Sequence, residues 1–515
     1  MTEPSAHELA VRAAEPASKA YDAIVIGSGM SGLTSAVILA KEGKRVVVLE
    51  QHYRPGGFLH SFHRKGGVAF DVGFHYVGAI EEGQVLGRYL KYCGVHDQIR
   101  LIPFDPLGYD DLRFPGVQFL VPSGEERYKE RLLEAFPAER AVIERYFKDW
   151  RAVVDGFAFY RLQIEQDIGH ADKWMTMPLG AYLDGIGTSP RLKAVLAAQN
   201  PLYGCEPKRA PVGLHALVTD SFLQNPYAID GGGEAVARAM VARLRELGGE
   251  IKLRCRVSEI LCNDAREVVG VRTETGEDFR APLIVSCANP KITMRMLPAG
   301  VLRPGFRRRV LTMEDGPSTL SVFITTKADL SAYAGRNIYN YHVLDLDRVY
   351  DNVDRPHEFA FVTVPTARQG RTPGGLHQVI GLGFLDWRRV ERWEQTFTGK
   401  RGPDYEAFKA QSAEGLMRLV VEAVPELSGN VESIEAASPL TNRDYAASEH
   451  GAAYGIHHTV DQSGRYGLRP RTRVGGLFLC GQSVLMPGVC GVTISAFHTC
   501  SIILGSEYLM RKVNA

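Results

Sequence analysis

Long apolar runs, paired cysteines and a surplus of either charge are all missing from this 515-residue chain. Each absence removes a class of protein. Lys and Arg total 60 against 59 Asp and Glu, so no bulk field recruits nucleic acid. The eight cysteines are scattered, with no CxxC pair and no zinc-like His/Cys spacing. That argues against a disulfide framework and a structural metal, and for a reducing compartment. His60 and His63 stand three apart without a third ligand nearby, so no metal site is expected. The best candidate for a membrane span, Val484 to Gly505, is interrupted by Pro487, Gly488, Gly491 and His498 and reads as a buried helix. Residues 1–20 are polar and Ala-rich with no apolar h-region, and read as a flexible leader rather than a secretory signal. The expectation is a cytoplasmic protein, at most peripheral to a membrane.

What is present begins at Tyr21. Asp22 to Ile26 is a short apolar run without helical spacing, as a buried parallel strand would be. Gly27, Ser28, Gly29, Met30, Ser31 and Gly32 follow in a GxGxxG pattern. The first glycine permits the tight turn, the second admits a pyrophosphate to the backbone, and the third lets a helix pack on the strand. The helix runs to Gly43, a good C′ residue. Arg45 to Leu49 is the next strand, ending in Glu50 and Gln51. A carboxylate at Glu50 suits ribose hydroxyls and repels a 2′-phosphate. Strand, turn, helix and acid together make a dinucleotide site. The second pair, Gly56 and Gly57, tilts the choice to FAD, with Arg54 placed beside the same phosphates.

Farther on, Phe70 to Tyr76 carries aromatics and His75 around Gly73, where the chain should turn toward the flavin ring. Ile102 to Val121 looks β-like. Glu125 to Tyr160 has Tyr128, Leu132, Phe136, Ile143, Tyr146, Phe147 and Trp150 near helical spacing, read first as a core stripe. Tyr227 to Gly249 is a glycine turn and an amphipathic helix, Glu250 to Leu261 one alternating strand, and Val268 to Val285 a hairpin with a return strand. Strands are expected near Ser318 to Thr325 and Glu358 to Val364, an exposed loop near 367–375, and a helix from Asp404 to Val424. Gly476 to Cys480 is a late strand, followed by Gly481, Gln482, then Gly488, Val489 and an apolar helix. A helix start there offers free N–H groups where reduced flavin gathers negative charge.

These residues resemble the phytoene-desaturase-like flavoproteins, which share a fold with monoamine oxidase, and within them the retinol saturases. The likeness is dense from Ala40 to Arg88 and again from Thr441 to Gly491, weaker over Asp230 to Val257, and poor in the substrate half. It implies an α/β fold: a Rossmann-like FAD-binding domain (21–90, 211–300, 436–515) interleaved with an α+β substrate domain (91–210, 301–435). It further implies FAD contacts from Gly27, Gly29, Gly32, Glu50, Gly56, Gly57, Val257, Gly481 and Gln482. Gln482 stands where several relatives have Asp, and Phe58 where amine oxidases have Arg. The implied chemistry is saturation, desaturation or isomerisation of carbon–carbon double bonds in an apolar polyene. Amine or porphyrinogen oxidation is the second reading, and a prenyl-binding escort on the same fold the third. With no second GxGxxG unit there is no built-in nicotinamide domain, so an external electron donor or acceptor is expected. Saturation also needs an acid: His75 and Tyr76 are the candidates, with His457 and His458 behind them.

Overall fold

Four consecutive apolar residues, Ala23–Ile26, are buried on both faces, which requires cover on both sides of the sheet they join. The computed structural model describes residues 20–64, 67–165, 167–372 and 374–515, so the expected leader lies almost wholly outside the described residues. In it Ala23–Ile26 is the middle strand of a five-stranded parallel sheet. Ile24 lies between Val47 of strand Val46–Leu49 and Ile284 of strand Ile284–Ser286. The edges are Glu250–Lys252 and Leu477–Leu479. Helix Met30–Lys41 crosses from the first strand to the second, buried from Met30 to Ala40, and Gly43 takes the left-handed φ of +80° beyond its end. Helices Gly488–Leu504 and Gly232–Glu246 pack along it.

A second, seven-stranded sheet stands apart from the first. Its order is Val431–Ala437, Thr319–Thr326, His377–Phe384, Phe359–Thr363, Asn337–Tyr341, Asp110–Phe114, Val117–Val121. All neighbours are antiparallel except Asn337–Tyr341 and Asp110–Phe114, where Asn337 faces Asp110. That pairing joins two stretches more than 200 residues apart in sequence. A helical layer lies beside it. Tyr128, Leu132, Ile143, Tyr146, Phe147 and Trp150 are buried in its core and Phe136 is partly so. Pro137 divides the stripe between helices Glu125–Ala135 and Arg140–Asp155.

Two segments differ from their sequence reading. Glu250 to Leu261 is two strands in two sheets: Arg254 adopts a left-handed φ of +54°, so Val257–Cys262 turns away to pair with Val268–Thr273. In the segment near 367–375, Gly370, Arg371, Gly374 and Gly375 are exposed. Before them, Pro365–Gln369 is a short helix whose Arg368 points inward, its guanidinium 4.2 Å above the Phe104 ring and donating to Thr363 Oγ1 at 2.9 Å. Among the described residues no helix is long and apolar enough to cross a membrane.

Candidate active site

Two cavities meet in the cleft between the sheets. The larger, about 2050 Å³ with the solvent at its mouth, lies along the carboxyl ends of the parallel strands, where open α/β sheets take their ligands. Its floor is the glycine turn. Gly27 takes a φ of +93°, so the turn itself demands glycine there. A Cβ on Gly32 would collide with the Gly27 carbonyl, so this glycine seats the helix against the strand. Gly29 differs: its φ of −61° suits any residue, and a Cβ there would meet nothing within 4 Å. The missing side chain leaves space in the cavity. Gly57 backs the same turn, its would-be Cβ 3.1 Å from Gly29 Cα, while Gly56 N–H donates to the Ser28 carbonyl at 3.0 Å.

Glu50 is buried at the end of its strand. One carboxylate oxygen accepts from the Ser28 N–H at 2.7 Å and hydroxyl at 2.6 Å, the other from the His52 N–H at 2.8 Å. Gln51, Val257, Gln482, Gly488, Val489, Met30 and Ser31 line the cavity with it. Gly481 sits behind the wall at a φ of +106°, its N–H donating to Ser495 Oγ at 3.0 Å and its carbonyl accepting from the same hydroxyl at 3.2 Å. Arg54 is not among the lining residues. Its guanidinium meets Glu234 at 3.6 Å and the Ser61 carbonyl at 3.2 Å, because helix Gly232–Glu246 brings that acid to it. Two helix N-termini open on the cavity without a side-chain cap: Met30–Lys41 after Gly29, and Gly488–Leu504 after Pro487. Free amides and positive potential at both ends suit an anionic group. The donor set and the vacant space at Gly29 therefore fit a dinucleotide with its pyrophosphate on the first helix.

The second cavity, about 1120 Å³ with the solvent at its mouth, is walled by Phe74, Leu217, Phe222, Phe359, Phe361 and Met486, and among the described residues no Asp, Glu, Lys or Arg lines it. It shares Gly73, His75, Thr319, Leu382, Tyr454, Gly488 and Val489 with the first. His75 is thus at the junction. Both its ring nitrogens are buried without a hydrogen-bond partner, and burial, helped by the Arg368 charge, pushes its pKa down to about 4. Tyr76 lines the apolar cavity, but its hydroxyl donates to Asp110 Oδ2 at 2.9 Å and lies 2.7 Å from the Tyr339 hydroxyl. His457 and His458 line neither cavity. His457 stands between Glu206 and Glu314, at 3.2 and 3.3 Å, with Arg209 on Glu314. Cys205 also approaches Glu206 and His457, in a cluster whose charges these pairs already balance.

The sequence reading missed the second sheet's share of the walls. Tyr339, Tyr341, Phe359 and Phe361 alternate along two strands, and that period-two aromatic pattern was the available signal. Asn442 and Tyr445, which reach the larger cavity from outside the parallel sheet, carried no such signal.

A family model described as flavin containing amine oxidoreductase matches residues 30–503. The chain belongs to this family. Its cofactor is FAD, and it is a flavin oxidoreductase. Among curated relatives, the human all-trans-retinol 13,14-reductase is 33% identical, covering 94% of this chain and 85% of its own. The chloroplastic prolycopene isomerase of Arabidopsis thaliana is 26% identical over 93% of this chain and 81% of its own. Among solved structures, a triple mutant of putrescine oxidase superposes with a TM-score of 0.63 at 14% identity, covering 94% of this chain and 98% of that one. The last likeness bears on the fold alone.

Proposed function

We propose that this flavin oxidoreductase saturates a carbon–carbon double bond in an apolar, retinoid-like polyene. The observation that carries the reading is the apolar cavity, free of ionised side chains, that opens on the FAD cradle at His75. The names of the reductase and isomerase relatives support it. An amine substrate is a cation, and nothing in this wall compensates a positive charge. A prenyl escort has no use for the vacant space at Gly29 or the carboxylate at Glu50.

The glycine turn, Glu50, Gln51, Val257 and Gln482 would hold FAD, and the uncapped start of helix Gly488–Leu504 would offer it free N–H groups. When bound, FAD supplies hydride to one alkene carbon, or takes it in the reverse sense. The protein does the rest. Phe359, Phe361, Phe222 and Leu382 clamp a flat conjugated chain and exclude water. His75, neutral at physiological pH, fixes the depth at which the chain meets the junction. The Tyr76 hydroxyl is the wall group that offers a proton. Electrons come from a diffusing donor, since the sequence has a single glycine motif of this kind.

Tyr160 lines the cavity, and Ile164 and Ile168, a few residues beyond it, are 43% and 75% exposed. This supports entry of substrate from a membrane surface touched peripherally. Ile168→Glu should reduce flotation with phospholipid vesicles while leaving FAD content unchanged; equal flotation of both proteins would remove this segment from the contact.

The test of the reaction is anaerobic incubation of dithionite-reduced protein with retinol, lycopene and putrescine. The expected product is a polyene heavier by two hydrogens, with putrescine untouched. Amine oxidation by the oxidised protein, without any polyene product, overturns the reading.

A further inference from the structure

Behind the apolar cavity lies a buried carboxyl that neither motif nor spacing singled out. Asp110 opens strand Asp110–Phe114 and is fully inaccessible to solvent. Its partners come from three directions. Tyr76 donates to Oδ2 at 2.9 Å from the segment under the cavity, and Gln199 donates to the same oxygen at 2.8 Å from the helical layer. Asn337 donates to Oδ1 at 3.2 Å from the parallel neighbouring strand. Tyr109 joins through Gln199 at 3.3 Å, and the Tyr339 hydroxyl closes on Tyr76 at 2.7 Å. A buried cation acting on Asp110 is Arg368, which makes its hydrogen bonds elsewhere, to Thr363 and the Ala334 carbonyl. Burial pushes its pKa up to about 7, although the hydrogen bonds from Gln199, Tyr76 and Asn337 and the Arg368 charge pull the other way.

The chemistry of the cavity lacks such an acid. Adding hydride to one alkene carbon leaves the other needing a proton. His75 is a weak source, because a group with a pKa near 4 is uncharged at neutral pH. Tyr76 can reach the cavity, but burial and the neighbouring Asp110 and Tyr339 push its pKa well above the usual phenol value, so a bare phenolate there is costly.

Resting on the saturation reading, we infer that Asp110 is the proton reservoir of the site, acting through Tyr76. With Asp110 protonated, its O–H donates to Tyr76 and the Tyr76 hydroxyl turns to the substrate; as the Tyr76 O–H bond breaks and a C–H bond forms at the substrate carbon, the Asp110 O–H bond breaks and the Tyr76 O–H bond is restored. The net result is one proton from Asp110 on carbon beside the hydride from reduced flavin, and a carboxylate at Asp110. Water returns the proton between turnovers, while Arg368 offsets the transient charge. Tyr76 touches the substrate; Asp110 is the positioning and supplying residue behind it.

The experiment compares FAD-loaded wild type with Asp110→Asn and Asp110→Glu. Infrared difference spectra without substrate read the carboxyl directly. Wild type should show buried protonated carboxyls that titrate near neutrality, from Asp110 and Asp71, and Asp110→Asn should lose the Asp110 share while that of Asp71 remains. With substrate, the wild-type saturation rate should fall as pH rises through about 7, where Asp110 loses its proton. Asp110→Asn should bind FAD and substrate normally, run about a hundredfold slower or worse, and lose that alkaline limb. Asp110→Glu should recover part of both. An Asp110→Asn protein that keeps the wild-type rate and limb overturns the inference and leaves the saturation reading standing. So does one that is slow with the limb intact, which would mark a purely structural carboxyl. A wild-type protein inert toward every polyene, yet with the infrared titration intact, fails the saturation reading itself and the inference with it.

Discussion

Gly29 and Gly32 are three residues apart and are glycines for opposite reasons. Around Gly32 the protein itself is the obstacle, since any side chain strikes the Gly27 carbonyl. Gly32→Ala should therefore lower stability by at least about 2 kcal/mol, with or without cofactor, as overpacking at a helix–strand contact does. Gly29 has an ordinary φ and open space before it, so only the cofactor objects. Gly29→Val should melt like the apoprotein and emerge colourless. Thermal melts paired with flavin absorbance decide both points; a yellow Gly29→Val protein would mean that the pyrophosphate lies elsewhere. The packing role of Gly32 was legible in the sequence, because a tight turn between strand and helix leaves few ways to fold. Arg54 was not. Its partner Glu234 is 180 residues away, and no local pattern announces which loop a distant helix will approach. Asp110 was invisible for the same reason: its meaning comes from Tyr76, Gln199 and Asn337, three separate segments.

At the level of elements, the late strand–turn–helix is sewn by one side chain. Ser495, inside helix Gly488–Leu504, holds both the N–H and the carbonyl of Gly481. Removing the hydroxyl leaves the buried Gly481 N–H unpaired, while the carbonyl keeps the Val484 N–H at 3.1 Å; the cost is about 1–3 kcal/mol. That cost falls on the turn that fixes Gln482 and the helix N-terminus. Ser495→Ala should accordingly release FAD about tenfold faster or more, measured by recovery of free-flavin fluorescence after dilution. An unchanged release rate would show that the turn holds its shape without the serine. The sequence marked this unit because strand, glycine and apolar helix are contiguous. It misread Glu250 to Leu261 as one strand because alternation continues across Arg254, and only the left-handed φ there separates the halves.

For the whole molecule, the titrating groups that matter are buried. His75, His215, His357, His458 and His498 are each pushed down from 6.5 to about 4 by desolvation. The unfolded chain takes up these protons as pH falls through about 6.5 and the folded one does not, so stability drops between about 6.5 and 4. Asp71 and Asp110 act oppositely. Their pKa values are raised from 3.8 to about 7, so their contribution is full below about 4 and lost as pH rises through 7. His457, held charged between Glu206 and Glu314, acts with the two aspartates; the five histidines outweigh the three, and the melting temperature should fall as pH is lowered from 7 to 4.5. A melting temperature that held steady or rose over that range would contradict the buried, neutral state of these histidines.

The parallel sheet takes its strands from residues near 25, 48, 251, 285 and 478, and the other sheet from stretches between them. In terms of synthesis, neither half can be finished before the other has been made. The strand that completes the cofactor floor, Leu477–Leu479, leaves the ribosome after every other strand described here. Until then the apolar walls have no floor to fold onto, and they wait as exposed surface. Acquisition of FAD is therefore an event of the nearly complete chain, and a nascent protein halted before residue 477 should be colourless, bound by chaperones and open to proteases.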